Sequence, residues 1–318
     1  METAAAKAKA VRSAPRLTGD ALSWAALLTL VVVWGSTFAG IRIGVETISP
    51  AWLVTGRLLS GAAFLGLWIA GSALLRRPRA DATPKVGLSA IGWFAVIGIA
   101  GTAIPFVLYA HAAESIGSAV MAICNGATPF ATVLMAHVFT GDRLSARRLA
   151  GVLIGFLGLV VLVLPEFSKE QTAGLIGIML AIVGAWLYAV GNIATRLAPR
   201  VSALVSSFWI VAIAGLAALA YAMVAEPFPR AASANSIIAM ITLGLLPTAF
   251  AMFVYVWLIQ RAGPVFVSFT TYMSPLWATG LGVLFLGEAL YWSMAGALML
   301  ILVGVAVANR MPPRRQPG

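Results

Sequence analysis

Arg57 stands inside an apolar stretch near residues 50–72, about 10 Å from its start if the stretch is helical. A cation at that depth in a bilayer either handles a solute or snorkels to the interface on its long stem. Polar and aromatic residues recur at similar depths in other apolar stretches. Trp34 and Ser36 come first, then Asn125 and Thr128, then Trp186, Tyr188 and Asn192. Tyr255, Tyr272, Ser274 and Trp277 complete the set. Asn125 and Thr128 are three apart and share a helix face. Tyr272 and Ser274, like Trp186 and Tyr188, are two apart and need a kink to face one spot. Taken singly, a Ser, Thr or Asn reads as helix–helix glue, and a Trp or Tyr as packing or an interface anchor. Taken together they describe a cavity suited to a ligand with an apolar body and a polar end.

Four prolines, Pro105, Pro129, Pro247 and Pro275, fall near the middle of their stretches. A proline removes one helix hydrogen bond and crowds the preceding turn. The freed carbonyls are tolerated at membrane depth where they line a cavity. These residues therefore read as helix kinks beside that cavity, the other reading being ordinary membrane-helix proline. His111 lies beside Glu114 at a stretch end. It is a candidate for a proton role, or a solvated end-of-helix histidine. A Ser36/His111 dyad is the one hydrolytic arrangement on offer. No HExxH, no GxSxG and no pair of intramembrane aspartates accompany it. Cys124 is the single cysteine, so neither an internal disulfide nor a cysteine metal cluster is expected. No catalytic residue, metal site or cofactor is expected, and without a P-loop ATP is not a direct energy source.

Composition says what must hold these residues. The 318 residues are 61% hydrophobic and 10% charged, with mean hydropathy +0.97. Soluble domains carry roughly 25% charged residues, so lipid must be the solvent for most of this surface. Continuous apolar runs of about 20 residues imply helices rather than alternating barrel strands. Ten such stretches run near 22–44, 50–72, 87–112, 116–139, 146–165, 174–196, 201–224, 235–260, 263–286 and 289–309. The net charge of +11 does not indicate a nucleic-acid partner, because the basic residues sit in short loops and tails. Of the 21 Lys and Arg, seventeen fall on one side of a ten-span chain and only Lys169 and Arg230 on the other. That bias puts both termini in the cytoplasm.

The chain also repeats itself. Residues 109–158 match a segment 146 residues later without a gap. Tyr109 meets Tyr255, Gly117 meets Gly263, Pro129 meets Pro275, Asp142 meets Glu288 and Gly158 meets Gly304. The fronts of the two units match more weakly at 152, where Trp34 meets Trp186. The expected organisation is a tail at 1–20, five helices in 21–165, five in 166–309, and a tail at 310–318. Five spans is an odd number, so the second unit enters from the opposite side, as an inverted repeat.

In order and duplication these motifs resemble the EamA-type family of the drug/metabolite transporter superfamily. They are Trp34-Gly35-Ser36-Thr37-Phe38, then Pro50 followed by Arg57. Next come Pro129 followed by Gly141-Asp142-Arg143-Leu144-Ser145, and Pro275 followed by Gly287-Glu288. The family usually has Gly-Glu at both places, so Asp142 departs from its pattern. The resemblance covers about residues 22–309. It implies an all-α, polytopic fold of ten helices in two inverted halves, in a bacterial inner membrane, with a solute path between the halves. It implies a secondary transporter with a small-molecule substrate, the lipid bilayer as its other partner, and no enzymatic activity. Relatives export amino acids, aromatic ones included; broad drug efflux and metabolite uptake are the alternatives. Every acidic residue lies in a tail, a loop or a helix end. Downhill movement without obligatory proton exchange is therefore expected.

Overall fold

A computed structural model of the chain describes residues 20–75, 86–139, 146–167, 172–199, 201–262 and 269–309. The two tails and the motif at 141–145 lie outside these, apart from Asp20. All regular structure among the described residues is helical. Seven helical segments are long and apolar enough to cross a bilayer. They are Ala21–Gly44, Pro50–Ser72, Leu88–Ala112, Ser118–Phe139, Ala173–Leu197, Ala203–Ala225 and Ala234–Tyr255. The apolar parts of the other three expected stretches are shorter: Leu149–Leu162, Met273–Phe285 and Trp292–Gly304.

Several helices start where local chemistry dictates. Asp20, Ser202 and Ser233 each accept an N–H bond from the residue three ahead, a standard way to satisfy an orphan donor. Pro50 opens its helix, where a missing N–H costs nothing.

The helices are α1 (Ala21–Gly35), α2 (Thr37–Gly44), α3 (Pro50–Leu75), α4 (Leu88–Gly98), α5 (Ile104–Ala112), α6 (Ser118–Asn125) and α7 (Thr128–Phe139). They continue with α8 (Ala146–Phe167), α9 (Thr172–Leu197), α10 (Ala203–Ala225), α11 (Ala234–Leu243), α12 (Ala251–Ala262), α13 (Phe269–Phe285) and α14 (Trp292–Asn309). Two π-helical segments interrupt the sequence, Ile99–Ala103 between α4 and α5 and Gly244–Phe250 between α11 and α12. They coincide at the 146-residue register. Thr102 donates to the Ile97 carbonyl at 3.1 Å, and Thr248, 146 residues on, donates to the Leu243 carbonyl at 2.9 Å.

The proline expectations resolve individually. Pro247 lies inside its π segment, whereas Pro105 follows the other one at the start of α5. Pro129 restarts a helix that stops at Asn125–Gly126. Pro275 sits inside a continuous helix. Gly126 has Tyr272 as its mate, where the second copy runs on as helix.

The two copies pack most closely along α8 and α14. A methyl at Gly158 would lie 2.9 Å from the Ala297 carbonyl oxygen, and one at Gly304 2.6 Å from the Gly151 carbonyl oxygen. Ala297 is 146 residues after Gly151, so these two contacts are reciprocal, as a two-fold relation requires. The later residue of one helix meets the earlier residue of the other. α8 and α14 therefore run antiparallel.

Candidate functional site

A cavity of about 570 Å³ opens where the broken helices meet, within the range of small-molecule sites. Trp34, Thr37 and Phe38 line it from α1 and α2, Arg57 from α3 and Phe106 from α5. Asn125 and Thr128, with Pro129 and Thr132, face it from α6 and α7. Tyr188 and Asn192 contribute from α9, four apart and so on one face. Pro247, Thr270, Ser274 and Pro275 close it from the second copy's eighth and ninth stretches.

Arg57 is only 5% exposed, so it does not snorkel. Its Nε donates to Thr248 Oγ1 at 3.2 Å, and its guanidinium lies 3.8 Å from the Phe106 ring centroid. It forms no ion pair with any carboxylate among the described residues. A buried charge–hydroxyl bond contributes about 1.5–3 kcal/mol and a desolvated cation–π contact about 2 kcal/mol. Both are smaller than the several kcal/mol it costs to take an unpaired ion out of water.

Aromatic rings brace the same wall. Phe38 and Tyr109 are 5.5 Å apart, Tyr109 stacks on Tyr188 at 5.7 Å, and Phe106 meets Tyr188 edge-on at 6.1 Å. Asn125 Oδ1 accepts from both Tyr109 Oη and Thr128 Oγ1 at 3.3 Å, which turns its amide donors elsewhere. Asn192 Nδ2 donates to Thr132 Oγ1 at 3.3 Å. Trp34 Nε1 reaches the Pro247 carbonyl at 3.2 Å, tying the first stretch to the π segment. The Ser274 hydroxyl is buried without a protein partner.

The remaining sequence candidates lie elsewhere. Trp186 lines a separate, apolar cavity with residues of α7 and α8 and is 42% exposed. Two residues apart on an unkinked helix, Trp186 and Tyr188 are rotated about 200° from one another. Ser36 points away from the main cavity and accepts from Trp277 Nε1 at 3.0 Å. Tyr255 packs behind Trp34 at 5.5 Å between ring centroids. Pro105 is buried. The side chain of Tyr272 lies outside what the structure describes. His111 sits between Glu114 Oε2 at 3.0 Å and Glu226 Oε1 at 3.5 Å, apart from the cavity and from Ser36. Phe106, Thr132 and Thr270 line the site and escaped the sequence reading, and Thr37 and Phe38, read there only as part of a family motif, line it too. Phe38 is four after Trp34 and Thr132 four after Thr128, so helical spacing carried a signal for both.

Glu288 is structural, but not within its own helix. It accepts from Ser118 N at 2.6 Å and Ala119 N at 3.0 Å, capping α6 of the other copy. Gly287 adopts φ +65° to turn it there.

Many apolar helices surround a cavity with aromatic, aliphatic and polar walls, the arrangement a multi-pass small-molecule transporter needs. The chain belongs to the EamA-like transporter family, whose sequence profile matches residues 22–164 and again 175–310. It is 22% identical over 294 residues to the uncharacterized inner membrane transporter YedA of Escherichia coli K12, covering 91% of this chain and 92% of that one. It is 25% identical over 305 residues to a "Probable terminal-alkyne amino-acid exporter" of Streptantibioticus cattleyicolor, covering 93% and 97%. A solved crystal structure aligns with TM-score 0.61 at 24% identity, over 92% of this chain and 98% of that one. That likeness concerns the fold alone. The protein is a multi-pass protein of the bacterial inner membrane, with a small-molecule substrate.

Proposed function

We propose that this protein is a secondary transporter that exports small organic metabolites, aromatic or other apolar amino acids first among them. It works by alternating access through the central cavity. The observation that carries the reading is that both copies line that cavity, the first beside its helix breaks at Ser36 and at Gly126, the second at the π-helical Pro247. A relative named as an amino-acid exporter over nearly its whole length supports the substrate class. The antiparallel α8–α14 contact, with its reciprocal glycines, supports two inverted five-helix repeats at 21–165 and 166–309. The seventeen-to-two basic bias supports ten spans with the tails 1–20 and 310–318 in the cytoplasm. Among the described residues no acidic side chain lines the cavity, which supports downhill movement without obligatory proton exchange.

Proteoliposomes loaded with radiolabelled phenylalanine test the reading. Label should equilibrate across the membrane in the absence of a pH gradient and exchange with unlabelled phenylalanine outside. A panel of apolar amino acids that all stay trapped overturns it. Sidedness is read separately in a Cys124→Ala background. An impermeant maleimide should label Glu46→Cys but not Ala203→Cys in intact cells; labelling of both, or of neither, contradicts the proposed topology.

A further inference from the structure

The unpaired guanidinium of Arg57 needs an occupant of definite chemistry. Arginine carries five N–H donors, and the protein uses one of them, on Nε. Among the described residues the four on the two Nη atoms have no protein acceptor. The groups facing Arg57 are the Thr248 hydroxyl, the Phe106 ring and Tyr188. None is an anion. Further donors line the same cavity: the Asn125 amide, the Tyr188 hydroxyl and the Ser274 hydroxyl, the last buried without a partner among the described residues. Trp34, Phe38, Phe106 and Phe130 supply aromatic wall beside them.

We infer that Arg57 is the anchor for a carboxylate on the transported solute, whose apolar body lies along Phe38, Phe106 and Tyr188. A planar carboxylate matches the guanidinium fork with two parallel hydrogen bonds. Binding then supplies the counter-ion that the protein withholds. This deepens the proposed function and rests on it for the word "transported". The site selects monocarboxylates and zwitterionic amino acids. It rejects organic cations, which meet a like charge and no carboxylate.

Calorimetric titration of the purified full-length protein in detergent tests the site without requiring flux. The probes are 3-phenylpropionate, its neutral amide 3-phenylpropanamide, and the cation 2-phenylethylamine. Wild-type protein should bind the acid about tenfold or more tighter than the amide, a gap of one or two charge-assisted bonds, and the amine least. Arg57→Gln should erase the preference for the acid while leaving amide binding. Arg57→Lys should retain part of it, since a point charge replaces the fork. Equal binding of acid and amide by the wild type, no binding of any probe, or an acid preference that survives Arg57→Gln overturns the inference. If Arg57→Gln does not fold, the wild-type ratio decides alone. Acid-selective binding with no flux of any amino acid refutes the proposed function and leaves the site. Amino-acid flux without acid selectivity does the reverse.

Discussion

The two π-helical segments are the same backbone device put to different ends. In each, a threonine bonds the carbonyl five residues back. In each, a glycine lets a neighbouring helix's carbonyl approach: Ile210 O against Gly98, Arg57 O against Gly244. Ile210 thus stands, in contact terms, where Arg57 stands. One copy presents a hydrocarbon there and the other a guanidinium, held by Thr248 and capped by Phe106. Duplication kept the scaffold in both halves and left the charge in one. The scaffold is constrained by backbone contacts that both copies must make. A side chain facing a shared cavity is needed only once.

The largest effects should come from the glycines that both copies need. At Gly244 a methyl would strike the Arg57 carbonyl, the Ser60 hydroxyl and the Gly61 N–H together. At Gly98 it would lie 2.7 Å from the Ile210 carbonyl oxygen and 3.3 Å from the Ala214 nitrogen. Gly244→Ala should therefore destabilise by about 3 kcal/mol and Gly98→Ala by about 2 kcal/mol, both within the range for overpacking. Unfolding in detergent with graded SDS measures both. If one variant is neutral, the two segments are not equivalent supports and the comparison breaks.

Next come the threonines. Thr248→Val removes a bond to the backbone and, among the described residues, the only protein hydrogen bond of the Arg57 side chain. Thr102→Val removes the backbone bond alone. Amino-acid exchange should fall about tenfold in the first, equivalent to roughly 1.4 kcal/mol, and change little in the second. Equal losses would mean that the threonines act through the π geometry and that Arg57 needs no positioning.

Much of this was legible in the sequence, for a definite reason. Matching Gly, Pro and acidic positions at one register cannot arise from hydrophobicity alone, so the duplication was visible. Arg57 was visible because a cation in an apolar run is conspicuous. The π segments were not. They depend on which carbonyl presses on Gly98 and Gly244, a tertiary fact. Trp186 was grouped with Tyr188 by depth alone, although their helix angles separate them. Phe106 escaped because a phenylalanine in an apolar run carries no signal until a cation is found above it.

Glu288 tests whether the acidic pair of the repeat is equivalent. It accepts two backbone N–H bonds at the start of α6. Glu288→Gln should cost about 1 kcal/mol, as for loss of a cap, in the same SDS assay. Its mate Asp142 and the mate of Ser118, Pro264, lie outside the described residues. Proline has no N–H, so Asp142 cannot receive the same pair. Asp142→Asn should cost less than Glu288→Gln; an equal or greater cost would mean that the two acids do equivalent work by different partners.

The smallest effect concerns a pair with no duplicate. Arg261 Nη2 donates to Asp20 Oδ2 at 2.5 Å, joining the start of α1 to the end of α12. The corresponding positions hold Thr172 and Ser115, neither ionisable near neutral pH. Hydrogen bonds from Arg261, then from the Ser23 hydroxyl and N–H, hold the Asp20 carboxyl well below the usual range. The same partner holds Arg261 above its usual value. A depressed carboxyl contributes stability above its unfolded pKa, about 3.9, and loses it as pH falls below. The raised arginine loses its part only above its ordinary, strongly basic pKa, outside any working range. The melting temperature of Asp20→Asn should therefore sit slightly below wild type by a constant margin from pH 5 to 9. That margin should close below about pH 4. Because the pair is solvent-exposed, the margin should also shrink in about 1 M salt, where the Debye length is near 3 Å. Ser115→Ala, at the uncharged mate of Arg261, should show no such pH dependence. A margin for Asp20→Asn that persists unchanged to pH 3 would mean that the side chain acts as a cap without its charge, and that this contact is not a case of charge confined to one copy.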